Sequence, residues 1–350
     1  MSCRYLKIED FCSTGSGGTP SRSKPEYYEG GDIPWIKSGD LKDSKIYEAN
    51  EYITAAGLEN SSAKIVEKDS ILIAMYGATV GRLAILGINA ATNQAICNIR
   101  PDTTIADMKY LYYFLKSKFS YFVENAVGGA QPNISQGLIK SLEVPLPSLD
   151  EQKRIADILD KAAGVCQKRE QAIKLADDFL RAKFLEMFGT PANNIHRFPK
   201  GTIRDLVDSV NYGTSAKASI DSGEYPILRM GNITYQGRWD FTDLKYLDLS
   251  VKEKDKYLVK EGDLLFNRTN SKELVGKTAV YEEDRPMAFA GYLIRVRPNS
   301  IGNNYYISGY LNSIHGKITL MNMCKSIVGM ANINAQELQI IEILIPPKHL

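Results

Sequence analysis

The chain has 350 residues, 24% charged and 44% hydrophobic, a balance that excludes a mainly disordered or fibrous protein and leaves room for two domains. The net charge is only +2, so any nucleic-acid surface must be a local patch balanced by acidic groups elsewhere. Residues 1–147 hold 15 basic and 16 acidic groups, 148–193 hold 8 and 8, and 194–350 hold 20 and 17.

The first residues, Met1-Ser2-Cys3-Arg4-Tyr5, lack the basic and apolar regions of a signal peptide. Short apolar runs bounded by Gly, Pro, Asn and Asp predict strands over 71–75, 83–86 and 95–99. The stretch 71–91 is broken by Arg82, Asn89, Gly77, Gly81 and Gly87, so it reads as two strands and not as a membrane span. Aromatic and aliphatic residues without Gly or Pro predict a helix over 108–124.

Residues 149–188 contain no proline and a single glycine, Gly164. Apolar residues at Ile155, Ile158, Ala162, Val165, Ala172, Ala176, Phe179, Phe184 and Met187 fall mostly three or four apart, with Arg169 as a polar break. Asp150 and Glu151 suit the positive end of the helix dipole, and Gly189 and Pro191 end the pattern. A helix of this length rises about 60 Å. Its apolar stripe requires either a partner helix in a coiled-coil-type contact or a fold back onto one domain.

Beyond this helix the first pattern returns. Gly31-Asp32-Ile33-Pro34-Trp35-Ile36-Lys37-Ser38-Gly39-Asp40-Leu41 recurs as Gly223-Glu224-Tyr225-Pro226-Ile227-Leu228-Arg229-Met230-Gly231-Asn232-Ile233, an offset of 192. Val80-Gly81-Arg82 recurs as Val275-Gly276-Lys277, and Leu115-Lys116-Ser117 as Leu311-Asn312-Ser313. Asn133-Ile134-Ser135 recurs as Asn332-Ile333-Asn334. Ordered blocks at a slowly drifting offset predict two copies of one mixed α/β (α+β) fold. The expected domains are 1–147 and 191–350, joined by a spacer helix over 148–190.

No P-loop, GxSxG or nucleotide-binding glycine motif is present in the sequence. The histidines His196, His315 and His349 have no ligand or triad partner nearby in sequence, and the cysteines Cys3, Cys12, Cys97, Cys166 and Cys324 form no CxxC. These features predict a cytoplasmic binding protein without catalytic, disulfide or metal chemistry.

The copies agree on glycine, proline and apolar positions and differ at matched polar ones, as two related recognition tasks would require. Arg and Lys pair with guanine edges, Asn and Gln with adenine edges, and Ser, Thr and Tyr with phosphates. On that chemistry the DNA-contact candidates in the first copy are Lys37, Ser38, Tyr76, Thr79, Arg82 and Gln94, with Gln131 and Asn133 from the loop Gly128-Gly129-Ala130-Gln131-Pro132-Asn133. In the second copy they are Arg229, Asn232, Asn267, Arg268, Thr269, Asn270, Lys272, Lys277, Arg295 and Asn332. Any one of these is also compatible with a solvated or turn-capping loop residue.

Ile33-Pro34-Trp35-Ile36-Lys37-Ser38-Gly39-Asp40-Leu41, Tyr76-Gly77-Ala78-Thr79-Val80-Gly81-Arg82 and Gln131-Pro132-Asn133-Ile134-Ser135 resemble target-recognition domains of type I restriction-modification specificity subunits. Leu146-Pro147-Ser148-Leu149-Asp150-Glu151-Gln152-Lys153-Arg154-Ile155 resembles the start of that family's central helix. The resemblance implies a non-catalytic subunit in which each recognition domain reads half of a bipartite double-stranded DNA target. It implies that Ile155, Ile158, Ala162, Val165, Ala172, Ala176, Phe179 and Phe184 face a helix partner and dock two methyltransferase (modification) subunits. A restriction subunit joins that assembly. S-adenosylmethionine, ATP and magnesium belong to the partner subunits, and no cofactor is expected on this chain. The family pattern places a second long helix after Pro346-Pro347, which this sequence does not contain. Self-pairing through the central helix is therefore a further expectation. A specificity subunit of a combined nuclease-methyltransferase, or a silent recognition cassette, is the alternative.

Overall fold

The computed structural model describes residues 4–129, 131–271, 274–327, 330–348 and 350; Cys3, Ala130, Lys272 and His349, singled out above, lie outside them. The chain divides into two compact units, Met1–Lys168 and Arg169–Leu350, so the boundary falls inside the long helix Leu149–Phe188 and each unit owns half of it.

In the first unit a five-stranded sheet runs in the order Cys12–Ser16, Ile96–Pro101, Ile71–Ala74, Leu83–Leu86, Ser44–Ile46. A four-stranded sheet runs Glu51–Ile53, Ile33–Ile36, Ala90–Thr92, Ile65–Val66, and the ribbon Arg4–Lys7/Glu143–Leu146 closes the unit. The apolar runs lack polar alternation because the larger sheet is covered on both faces. Ile71, Ile73, Cys97 and Ile99 meet Leu111, Leu115 and Phe122 on one side. Leu72, Ala74, Ala84 and Ile96 meet Ile36, Val66 and Ala90 on the other.

The second unit repeats this plan. Its sheets run Val207–Tyr212, Leu293–Pro298, Leu264–Asn267, Thr278–Val280 and Lys245–Leu247, Tyr225–Leu228, Ala288–Phe289, with the ribbon Lys200–Thr202/Glu342–Leu344. One addition is a three-stranded sheet in which Met330–Asn332 lies between Thr269–Asn270 and Lys325–Ile327.

The helix expected over 108–124 is two helices, Met108–Ser117 and Phe119–Glu124. Lys118 between them leaves helical geometry at φ −94°, ψ 11°, and the Ser117 hydroxyl donates back to the Phe114 carbonyl at 2.7 Å. The second unit breaks at the matched place. There Ser313 caps Ile314–Met323, its Oγ accepting from the Gly316 amide at 3.1 Å.

Each half of the long helix is anchored to its own unit. In the first, the wholly buried Gln152 accepts from the Asp107 amide at 2.8 Å and donates to the carbonyls of Ile105 (3.1 Å) and Pro147 (2.9 Å). Ala156 and Ile155 pack in the same core. In the second, the Phe184 ring stacks on Tyr306 at 5.7 Å, and a Cβ at Gly309 would lie 2.5 Å from it. Ile155 and Phe184 are thus partly buried against the chain's own domains, which leaves less of each for a partner helix than the sequence reading expects. Apolar packing on the local core accounts for both.

Candidate nucleic-acid interface

In the first unit Tyr76 begins a tight turn in which the Thr79 hydroxyl donates to its carbonyl at 3.2 Å and the Arg82 amide donates to Thr79 O at 2.9 Å. Pro132 and Asn133 lie against this turn. Tyr76 pairs with Asn133 as an antiparallel bridge, and the Gly77 amide donates to Pro132 O at 2.8 Å. Tyr76, Thr79, Arg82, Gln131 and Asn133, distant in sequence, therefore form one polar edge, with Tyr76, Arg82 and Gln131 exposed.

The neighbouring edge carries Lys37, Ser38 and Gln94. Lys37 and Gln94 follow the ends of the parallel pair Ile33–Ile36/Ala90–Thr92. The two edges join where the Met75 amide donates to Ala95 O at 2.8 Å. Lys37 pairs with Glu51, and Arg22 reaches the same carboxylate at 2.6 Å. The Lys37 hydrogen bond, with that of Arg22, holds the Glu51 carboxyl below its usual range. Arg22 lies over the Tyr28 ring at 4.4 Å and the Trp35 ring at 5.0 Å, and the Thr19 hydroxyl meets Gln94. Arg22 and Thr19 were not singled out in the sequence, because the loop that carries them shows no periodicity.

The second unit brings Arg268, Thr269, Asn270 and Asn332 together in the matching place. Thr269 pairs with Asn332, and the Arg268 guanidinium lies over the Tyr212 ring at 4.9 Å while donating to Asn332 Oδ1 at 3.5 Å. Tyr212, exposed at the end of Val207–Tyr212, also escaped the sequence reading. Arg229 is half-buried, its guanidinium donating to the carboxylate and carbonyl of Asp243 at 2.8 Å.

Five candidates are interior and serve the fold. Asn232 accepts from the Arg229 amide at 2.8 Å and donates to the carbonyls of Asp240 and Asp243, which closes the turn. Asn267 is wholly buried and donates to Leu274 O at 3.5 Å, and Thr269 is buried beside it. Lys277 is 8% exposed and donates to Ile233 O. Arg295 is 3% exposed, donates to Leu258 O at 2.8 Å and lies 3.8 Å from Asp263. A side chain so enclosed cannot reach a base edge from these positions.

On the long helix Ile158, Ala162, Val165, Ala172, Ala176 and Phe179 are exposed. Leu159, Ile173 and Leu180, spaced by multiples of seven, are exposed beside them, so the apolar face is wider than the stripe read from sequence. Among the described residues no helix is long and apolar enough to cross a membrane, and no group of three His, Cys, Asp or Glu could hold a metal.

Residues 4–175 and 198–349 each match the sequence model of the type I restriction modification DNA specificity domain. The chain is 33% identical over 150 residues to the type I restriction enzyme EcoR124I/EcoR124II specificity subunit of Escherichia coli, covering 41% of this chain and 37% of that one. It is 33% identical over 187 residues to the MjaIX specificity subunit of Methanocaldococcus jannaschii, 52% and 42% of the two chains. It is 24% identical over 339 residues to the EcoKI specificity subunit of Escherichia coli, covering 90% of this chain and 72% of that one. The chain thus spans about two-fifths of the length of the first two relatives. The fold is that of the type I restriction-modification S subunit from M. genitalium, with a TM-score of 0.58 at 14% identity over 100% of this chain and 86% of that one.

Proposed function

The chain belongs to the type I restriction modification DNA specificity family, and from that premise we propose that it is the non-catalytic subunit that gives a restriction-modification complex its DNA sequence specificity. Each unit contacts one half of a bipartite target. The first uses the edge of Lys37, Ser38, Tyr76, Thr79, Arg82, Gln94, Gln131 and Asn133. The second uses Arg229, Arg268, Asn270 and Asn332. The wide apolar face of the long helix receives the methyltransferase subunits, because exposed apolar surface of this extent calls for a partner. S-adenosylmethionine, ATP and magnesium act on the partner subunits.

The observation that carries this reading is the pairing of Tyr76 with Asn133 and of Thr269 with Asn332. One scaffold holds two loop junctions in the same place and dresses them with different side chains. The test is methylation sequencing of DNA from cells that express this chain with its modification subunit. A split motif is expected. Exchange of residues 198–349 for another family member's domain should change one half of the motif and leave the other. A change in both halves, or in neither, would sink the reading.

A further inference from the structure

The two units differ at one basic position in a way that leaves a charge unanswered. In the first, Arg82 lies 3.8 Å from the carboxylate of Asp43, which sits in a left-handed turn at φ 54° and donates its amide to Leu83 O at 2.8 Å. In the second, the matched cation is Lys277. Asp43 lies against Leu83; in the second unit the left-handed residue that lies against Thr278, the match of Leu83 at the offset of the Val-Gly block, is Gly237, at φ 81°. A Cβ at Gly237 would lie 2.4 Å from Asn312 Nδ2 and 2.7 Å from Thr278 O, so no carboxylate can occupy that turn.

The second unit also adds cations. Lys317, on Ile314–Met323, takes the place that Tyr121 holds in the first copy by the offset of the Leu-x-Ser block. Its ammonium is shielded from solvent and has no hydrogen-bond partner among the described residues. It lies over the Tyr235 ring at 5.0 Å, and the Arg181 guanidinium lies over the same ring at 5.9 Å. Burial, then Arg181 and Lys277, pulls the Lys317 ammonium down to about 8. Burial lowers Lys277 as well. Among the described residues, the acceptor that these two amines meet is the carbonyl of Ile233, bound by Lys277. A buried cation without a counter-ion is costly, and a cluster of them is stabilised by an anion that arrives from outside.

We propose that Lys317, Lys277 and Arg181 form a phosphate-binding site beneath Tyr235, which the second domain fills with a backbone phosphate of its DNA. The phosphate takes the place that Asp43 holds in the first domain and accepts charge-assisted hydrogen bonds from the two amines and the guanidinium. Tyr235 is exposed on the turn between Thr234 and Arg238, so on this proposal its side chain must turn aside to admit the phosphate. The identification of the source as DNA rests on the specificity reading above.

Lys317 also makes the stability of the second unit depend on pH. Its folded value of about 8 lies below the ordinary 10.5, so between these values the unfolded chain binds the extra proton. Stability therefore rises with pH across that window. The midpoint of unfolding read at Trp239 should rise there in the natural chain and rise less steeply in Lys317→Met, where Lys277 remains.

The test uses the full chain in two arms. In the first, inorganic phosphate replaces chloride at constant ionic strength. The Trp239 midpoint should rise in the natural chain and not in Lys317→Met, nor in Tyr235→Glu, which supplies an internal carboxylate. An equal response in all three, or none in the natural chain, overturns the site. In the second arm, the slope of log affinity for duplex DNA against log salt should fall in magnitude by about one in Lys317→Met, with the preferred sequence unchanged. An unchanged slope beside a lost phosphate response overturns DNA as the source. Absence of DNA binding by the natural chain, with the phosphate response intact, supports the oxyanion site and removes the specificity reading instead.

Discussion

Asp263→Ala should destabilise the second unit by about 3–5 kcal/mol, the cost of leaving a buried charge without its partner. Asp263 is buried and accepts from Arg297 Nε at 2.8 Å and Nη2 at 3.0 Å, and its Oδ2 also accepts from the Lys260 amide at 3.0 Å. Arg295 lies 3.8 Å away with its side chain only 4% exposed. Burial, then the neighbouring Arg297, lowers the proton affinity of Arg295, and Asp263 opposes both. Removal of the carboxylate takes away that opposition. The chain's two tryptophans allow the effect to be localised, since Trp35 lies in the first unit and Trp239 in the second. In urea the Trp239 transition should move to lower concentration while the Trp35 transition holds. A shift of less than about 1 kcal/mol would mean that Arg295 reaches solvent, and would return it to the candidates for DNA contact.

Gln152→Ala should cost the first unit about 3 kcal/mol, because three backbone groups lose their partner at once. The Asp107 amide and the carbonyls of Ile105 and Pro147 all bond to this side chain. Each buried polar group left unsatisfied costs about 1–3 kcal/mol. The loss falls where the long helix begins. Hydrogen exchange should therefore speed up at residues 149–160, where Ala156 and Ile155 pack on the core, before it changes elsewhere. If the helix docks the modification subunits, methylation should fall at the whole split site and not at one half. Unchanged exchange in this segment would show that apolar packing alone seats the helix.

Sequence alone carried the repeat, the long helix and its end at Gly189, and the three strands over 71–75, 83–86 and 95–99. These depend on local signals: glycine and proline at turns, apolar runs and their spacing. The same signals misplaced the helix break at Lys118, because a serine that bonds back to Phe114 O and a core that claims Phe122 are not written in the local pattern. The polar candidates divided on a different ground. Tyr76 with Asn133 and Arg268 with Asn332 were legible as polar residues in matched loops, and tertiary structure brought each pair together.

Lys277 and Arg295 have the same residue types as true surface contacts, and their neighbours in sequence give no sign that they are enclosed. Their partners lie far along the chain. Lys277 bonds to Ile233, 44 residues away, and Arg295 to Leu258, 37 residues away. Whether a cation is buried and answered, buried and unanswered like Lys317, or free at the surface is set by groups that only folding assembles. Local sequence therefore determined the scaffold and its duplication, and long-range packing decided which of its polar residues are left at the surface.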